Sequence, residues 1–233
     1  MLDILILAGG LGTRLRPVIE GIPKSMAPIG NLPFLEYILN FWSHKNISRF
    51  ILSTGYKSEI IRDYFGRSYK DIQIDYVEEI SPLGTGGAIL HALRSIKLSP
   101  NLIIANGDTW FDVDLNIMFE DFDKYQKPYI VGLKPIELNT RFDGVSLDEN
   151  GLITQFGENH ITNKYINAGV YIVKSDVLLK FMKNFEGNFS FETVVLKQLA
   201  KQGNISASIQ NKEFIDIGIP DDYKRAEKII LQR

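Results

Sequence analysis

The chain has 233 residues, with 26 Lys plus Arg against 28 Asp plus Glu, 3 His and no Cys, for a formal net charge of -2. A chain this long buries a sizeable core without staples, and the absence of cysteine excludes a disulfide framework, a thiolate metal site and a thiol nucleophile. The near-neutral balance argues against a nucleic-acid coat or a membrane-surface binder, and no apolar run approaches the ~20 residues of a spanning helix.

The amino terminus carries Asp3 where a secretory signal wants a basic residue, and the apolar run over residues 2–7 is only a strand long. A cytoplasmic protein opening on a buried strand is expected. Leu35, Ile38, Leu39 and Trp42 recur at helical spacing. Residues 49–54 read as strand, 59–65 as helix, 72–77 as strand, 88–96 as helix, 102–105 as strand, 115–125 as helix and 129–133 as strand. This alternation predicts a largely parallel sheet flanked by helices. The pattern then changes. Residues 145–147, 152–156 and 165–173 read as strands joined by short turns such as Asp148-Glu149-Asn150-Gly151, a small antiparallel addition. Residues 175–183 and 191–201 read as helices, 206–209 and 213–217 as strands, and Pro220 suits the first position of a closing helix that runs on over 221–232. No linker, repeat or low-complexity tract interrupts the chain, so a single α/β domain over residues 1–233 is expected.

The strongest feature follows the first strand: Leu7-Ala8-Gly9-Gly10-Leu11-Gly12-Thr13-Arg14-Leu15-Arg16-Pro17, then Pro23-Lys24. Ligands of open α/β sheets bind at the carboxyl ends of strands, and glycine N–H groups there can approach phosphate oxygens closely. Arg14 and Lys24 add fixed positive charge, and arginine grips phosphate with two parallel hydrogen bonds. The dinucleotide fingerprint G-x-G-x-x-G is excluded because Leu15 stands where its third glycine belongs, and no P-loop string occurs.

This string, continued by Pro23-Lys24-Ser25-Met26-Ala27-Pro28-Ile29, resembles the signature of the sugar-phosphate nucleotidyltransferases, the NDP-sugar pyrophosphorylases. Later stations follow in that family's order: Leu83-Gly84-Thr85-Gly86-Gly87-Ala88, Asn106-Gly107-Asp108, Asn167-Ala168-Gly169-Val170-Tyr171, Phe189-Ser190-Phe191-Glu192 and the segment opening Asp216-Ile217-Gly218. The resemblance implies a Rossmann-like (GT-A-like) mixed sheet, mostly parallel. The appended β-helix of many relatives is not expected, because no period-six repeat is present. The implied reaction joins a nucleoside triphosphate to a sugar 1-phosphate and releases pyrophosphate, with Mg²⁺ as cofactor. The attacking phosphate oxygen is already an anion, so the task is to hold two polyanions and offset transition-state charge. His44, His91 and His160 accordingly lie outside every motif.

By resemblance, Arg14 contacts the triphosphate and Lys24 sits between the α-phosphate and the sugar phosphate, while Arg16 reads as a further phosphate contact or a solvated loop charge. Leu7, Ala8, Gly9, Gly10, Gly12 and Thr13 are expected around the nucleotide, with Gly84, Thr85 and Gly87 beside the base. There Gly84, Gly86 and Gly87 leave room for a flat ring, and Thr85 could cap the following helix. Guanine presents N–H donors that a carboxylate can accept as a pair. Glu78 and Glu79 precede this loop as candidates, with Glu79 assigned to the nucleotide. Asp108 ends a strand on the glycine-loop edge, and the resemblance adds Asp216 as the second carboxylate for Mg²⁺, a hard cation that takes one or two carboxylates plus phosphate oxygens. Asp112 and Asp114 read as helix-capping or surface acids.

Asn167, Ala168, Gly169 and Glu192 match the family's sugar-binding positions, although Glu192 alone would read as a residue stabilising a helix N-terminus. Asn159 stands where many relatives carry a lysine for the sugar 1-phosphate, and Lys164 is the expected replacement. The strings Pro82–Ala88 and Phe142-Asp143-Gly144-Val145 resemble the members that guanylylate D-glycero-α-D-manno-heptose 1-phosphate for capsule or S-layer glycans. GTP and that sugar phosphate are the expected substrates. Mannose, glucose or N-acetylmuramate phosphates, the use of UTP, and a catalytically silent module stay open. So does a homodimer, for which Phe181 and Phe185 could be interface or core.

Overall fold

The computed structural model describes residues 2–10, 12, 15, 19, 21–136, 142, 144–157 and 164–232. In chain order its elements are β1 (Asp3–Leu7), a 3-10 turn (Lys24–Met26), β2 (Pro28–Ile29), β3 (Leu32–Pro33), α1 (Phe34–Ser43), β4 (Arg49–Thr54), α2 (Ser58–Phe65), β5 (Ser68–Tyr69), β6 (Ile72–Glu78), α3 (Gly84–Ser95), β7 (Asn101–Asn106), β8 (Thr109–Phe111) and α4 (Leu115–Tyr125). There follow β9 (Tyr129–Pro135), β10 (Gly144–Leu147), β11 (Ile153–Phe156), β12 (Tyr165–Lys174), α5 (Ser175–Met182), a π-helical turn (Phe191–Leu196) running into α6 (Lys197–Lys201), β13 (Ile205–Ile209), β14 (Phe214–Asp216) and α7 (Pro220–Ile230).

The early strands read as continuous apolar runs because both faces of their sheet are covered. Ile4, Ile6, Phe50, Leu52 and Ile103 point into one core, shared with α1, α2, α4 and α7. Leu5, Ile51, Leu102 and Ile104 point into the other, shared with α3, α5, the π turn and α6. Phe181 and Phe185 pack against this second core.

The ten-stranded sheet runs in the order β11-β10-β12-β7-β1-β4-β6-β5, with β9 and β13 branching from β12. Strands β7, β1, β4 and β6 are parallel. The antiparallel part is woven into the sheet rather than laid on its edge, since β12 pairs antiparallel with β7, β9 and β10. A register shift in β12 falls between Asn167 and Tyr171, on the Asn-Ala-Gly segment, and such bulges re-aim side chains near sites. No described helix is long and apolar enough to cross a membrane.

Several elements differ from the sequence reading, among them the two-residue strands β2, β3 and β5, which it did not contain. Helix α3 starts at Gly84 rather than at residue 88, because the Phe189 carbonyl accepts from the N–H groups of Gly86 and Gly87 and so holds a glycine-rich first turn that propensity disfavours. The helix read over 191–201 is a π turn followed by α6. The three-residue β8 was not foreseen, and it pairs antiparallel with β14.

Candidate active site

Leu7 pairs with Ser53 on one side and with Asn106 on the other, so the carboxyl ends of β1, β4 and β7 lie side by side. Successive strands step outward from β1 through β4 to β6, and the chain then returns to β7 on its other side. This is a topological switch point, where the loops part to leave a crevice. A cavity of about 290 Å³ opens there, lined among others by Leu7, Gly9, Gly10, Glu79, Gly84, Thr85, Asn106 and Asp108. Gly9 lies close to the opposite wall: a Cβ on it would lie 2.7 Å from the Glu79 carboxylate and would displace that side chain. Gly12 adopts φ +57°, and a Cβ there would lie 2.7 Å from the Lys24 Cβ, so the glycine loop rests directly on the lysine stem.

Lys24 belongs to the 3-10 turn and is buried, with its Nζ 2.6 Å from Asp108 Oδ2. Asp216 reaches the same place by a short ladder. Asp216 pairs with Thr109 across β14 and β8, and the next residue, Ile217, donates its N–H to the Asp108 carbonyl at 3.1 Å. Asp216 Oδ1 also accepts from the Gly218 N–H at 2.6 Å. Two carboxylates on adjoining segments beside a buried ammonium form a donor set of the hard-oxygen kind that suits Mg²⁺ with phosphate oxygens.

Glu78 and Glu79 point to different places, as alternate residues at a strand end must. Glu78 accepts from Ser58 and pairs with Arg62 at 3.1 Å, away from the cavity lining. Glu79 faces the cavity; Ser53 Oγ donates to its Oε1 at 3.3 Å and the Leu83 N–H to its Oε2 at 3.0 Å. Burial raises its pKa, and those two hydrogen bonds only partly offset the shift.

Thr85 does not cap α3; it lies inside the first turn. Its hydroxyl donates to Glu192 Oε2 at 2.7 Å and accepts from the Phe191 N–H at 2.8 Å. Gly87, expected beside the base, turns away from the cavity. A Cβ on Gly87 would lie 2.9 Å from the Gly187 carbonyl, and one on Gly86 would lie 2.4 Å from the Phe189 ring. These glycines make room for the 187–189 segment, and only Gly84 of the three lines the cavity.

A second cavity, of about 180 Å³, adjoins the first at Asn106, which lines both. Phe142, Phe156, Asn167, Glu192, Thr193 and Lys197 also line it. Glu192 is held by hydroxyls: Thr85 and Ser190 donate to Oε2, the latter at 2.9 Å, and the fully buried Tyr171 donates to Oε1 at 3.4 Å. Ser190, not Glu192, caps the π turn, accepting from the Thr193 N–H. Burial pushes the Tyr171 phenol well above its usual pKa, so it stays a donor. Asn167 donates to the same phenol at 2.8 Å and accepts from the Gly169 N–H at 2.9 Å.

The structure thus brings Leu7, Gly9, Gly10, Lys24, Glu79, Gly84, Thr85, Asp108 and Asp216 to one crevice, and Asn167 and Glu192 to its neighbour. Ala8 supplies backbone bonds to Ser53 and Ser25. Gly169 packs against Asn106. Lys164 is exposed just before β12 and lines neither cavity. Asp114 caps α4, accepting from the Asn116 and Ile117 N–H groups. Arg14, Thr13, Arg16, Asp143 and Asn159 lie outside the described residues. Asn106 and Lys197 are among the lining residues the sequence reading passed over, with Phe156, Thr193 and Asn188. Asn106 stood inside a quoted motif, whereas nothing in the helical pattern marked Lys197.

Residues 4–233 match the nucleotidyl transferase family. The chain is 41% identical over 227 residues to D-glycero-alpha-D-manno-heptose 1-phosphate guanylyltransferase from Aneurinibacillus thermoaerophilus, covering 97% of each chain. It is 38% identical over 223 residues to the protein of the same name from Campylobacter jejuni, covering 95% of this chain and 97% of that one. HddC from Yersinia pseudotuberculosis superposes with a TM-score of 0.86 at 32% identity, covering 99% of this chain and 100% of that one. A second crystal structure of HddC, complexed with GMP-PN, superposes at 0.85 with 31% identity over the same shares.

Proposed function

The chain belongs to the nucleotidyl transferase family, and we propose that it transfers GMP from GTP to D-glycero-α-D-manno-heptose 1-phosphate, giving a GDP-sugar and pyrophosphate. The observation that carries this reading is the meeting of two cavities at Asn106, with Lys24, Asp108 and Asp216 gathered beside the junction. The larger cavity takes the nucleotide and the smaller the sugar. An acceptor phosphate oxygen bonds to the α-phosphorus of GTP as the bond to the bridging oxygen breaks and pyrophosphate leaves. That oxygen enters as an anion, so no side chain has to remove a proton. Lys24 offsets charge on the transferring phosphoryl group, and Arg14 is assigned to the triphosphate. Asp108 and Asp216 would hold Mg²⁺, which when bound supplies further charge neutralisation on the triphosphate. The reading makes the whole chain one catalytic domain with small-molecule substrates, working in the cytoplasm where both are made.

The test is pyrophosphate release from a panel of triphosphates and sugar 1-phosphates in Mg²⁺. The highest kcat/KM is expected for GTP with the heptose phosphate. Release with UTP alone, or with no pair at all, overturns the guanylyl reading.

Glu79 is the residue proposed to select guanine, each carboxylate oxygen keeping a second acceptor site for the base N–H donors. Glu79→Gln should cut the GTP-over-UTP preference by about tenfold to a hundredfold, the worth of a charge-assisted hydrogen bond. The base donates to the carboxylate, so protonation weakens binding. With the Glu79 pKa raised, kcat/KM for GTP should fall on acidification starting above the ordinary glutamate range. The Gln variant should lack that limb. An unchanged preference in the variant removes Glu79 from base selection.

A further inference from the structure

The π turn and the start of α6 put two opposite charges on the wall of the smaller cavity. A π-helical turn is wider than an α-helical one, so residues five apart come nearer to one face than in an α-helix, where 3.6 residues per turn sets them roughly 140° apart around the axis. Glu192 and Lys197 are five apart, and both line the cavity. Glu192 is fixed by Thr85, Ser190 and Tyr171. Lys197 is half-buried, and among the described residues it makes no ion pair with Glu192 or with any other carboxylate. A hydroxyl group both donates and accepts, and a carboxylate beside an ammonium on one face satisfies both halves.

We propose that Lys197 binds the sugar of the acceptor, donating to hydroxyl oxygens whose neighbouring O–H groups donate to Glu192. The assignment rests on the reading of this cavity as the acceptor site. It goes to the sugar and not to the phosphate because Asp108 lines the other cavity, and among the described residues Asn106 is the lining residue the two share. Phe142 and Phe156 supply apolar walls for the C–H faces of a pyranose. Lys164, exposed before β12, has no such placement.

The test uses Lys197→Met and Lys197→Arg in the full chain, with pyrophosphate release followed as each substrate is varied. Lys197→Met should raise the acceptor KM about tenfold or more, the loss expected for charged hydrogen bonds, with the GTP KM within about twofold of wild type. Lys197→Arg should restore most of the loss. Inhibition by inorganic phosphate should be unchanged in both. An acceptor KM within about twofold of wild type in Lys197→Met overturns the assignment. Weakened inhibition by inorganic phosphate overturns it too, moving the lysine to the phosphate. If wild type turns over no sugar 1-phosphate, the proposed function fails. Lys197 is then judged by calorimetric binding of heptose 1-phosphate and mannose 1-phosphate. Tenfold weaker binding to Lys197→Met supports the role, and equal affinity or no binding to wild type overturns it.

Discussion

Asp108→Asn and Asp216→Asn should each lower kcat roughly a thousandfold, the scale of lost transition-state charge stabilisation in a shielded site. Both changes keep side-chain shape and remove one negative charge. They differ in what they leave behind. Asp108 is the ion-pair partner of Lys24, whose side chain is only 10% exposed, so Asp108→Asn strands a buried ammonium and should also lower the melting temperature. Asp216→Asn keeps that pair and should melt nearer to wild type. The shared loss of turnover is what two ligands to one cation should give, while the unequal melting reports the Lys24 pair. Titrating Mg²⁺ in the assay sharpens the test, since both variants should need more metal for half-maximal rate. Wild-type turnover in either variant removes that residue from the metal site.

How far the site could be read from the sequence follows from what carried each signal. Residues 49–54 and 115–125 were bounded correctly because burial on two faces, or on one stripe, writes itself into the apolar pattern. The start of α3 was not, because what holds its glycine turn lies about a hundred positions later: the Phe189 carbonyl accepts from Gly86 and Gly87, and the Asn188 side chain donates to the Pro82 carbonyl just before the turn. Asp108 and Asp216 were paired by resemblance alone. The physical link is β8 against β14, two strands of three residues each, too short for any periodicity. Thr85 and Glu192 were read as separate stations, one for the base and one for the sugar. Their 2.7 Å hydrogen bond ties α3, on the larger cavity, to the π turn on the smaller one, a tertiary fact that no local pattern encodes. That Glu192 and Lys197 line one cavity was hidden as well, since residues 191–201 read as one α-helix, on which residues five apart do not share a face.

Lys24→Met should lower kcat by about a hundredfold to a thousandfold, with smaller changes in either KM, because the ammonium acts most strongly on charge that develops in the transition state. Methionine keeps the unbranched stem that Gly12 packs against, so the loop should hold its shape and only the charge is lost. The remaining Asp108 carboxylate is 35% exposed on its side chain and can be solvated, so melting should fall less than in Asp108→Asn. The two variants therefore separate the structural half of the ion pair from its chemical half. If the pair were only structural, the melting and turnover losses would rise and fall together across both variants. Lys24→Arg should not rescue turnover, since the buried 3-10 turn and the glycine loop leave the broader guanidinium no room to reach the same point. A Lys24→Met enzyme with kcat within about threefold of wild type would show that the ammonium serves only to neutralise Asp108.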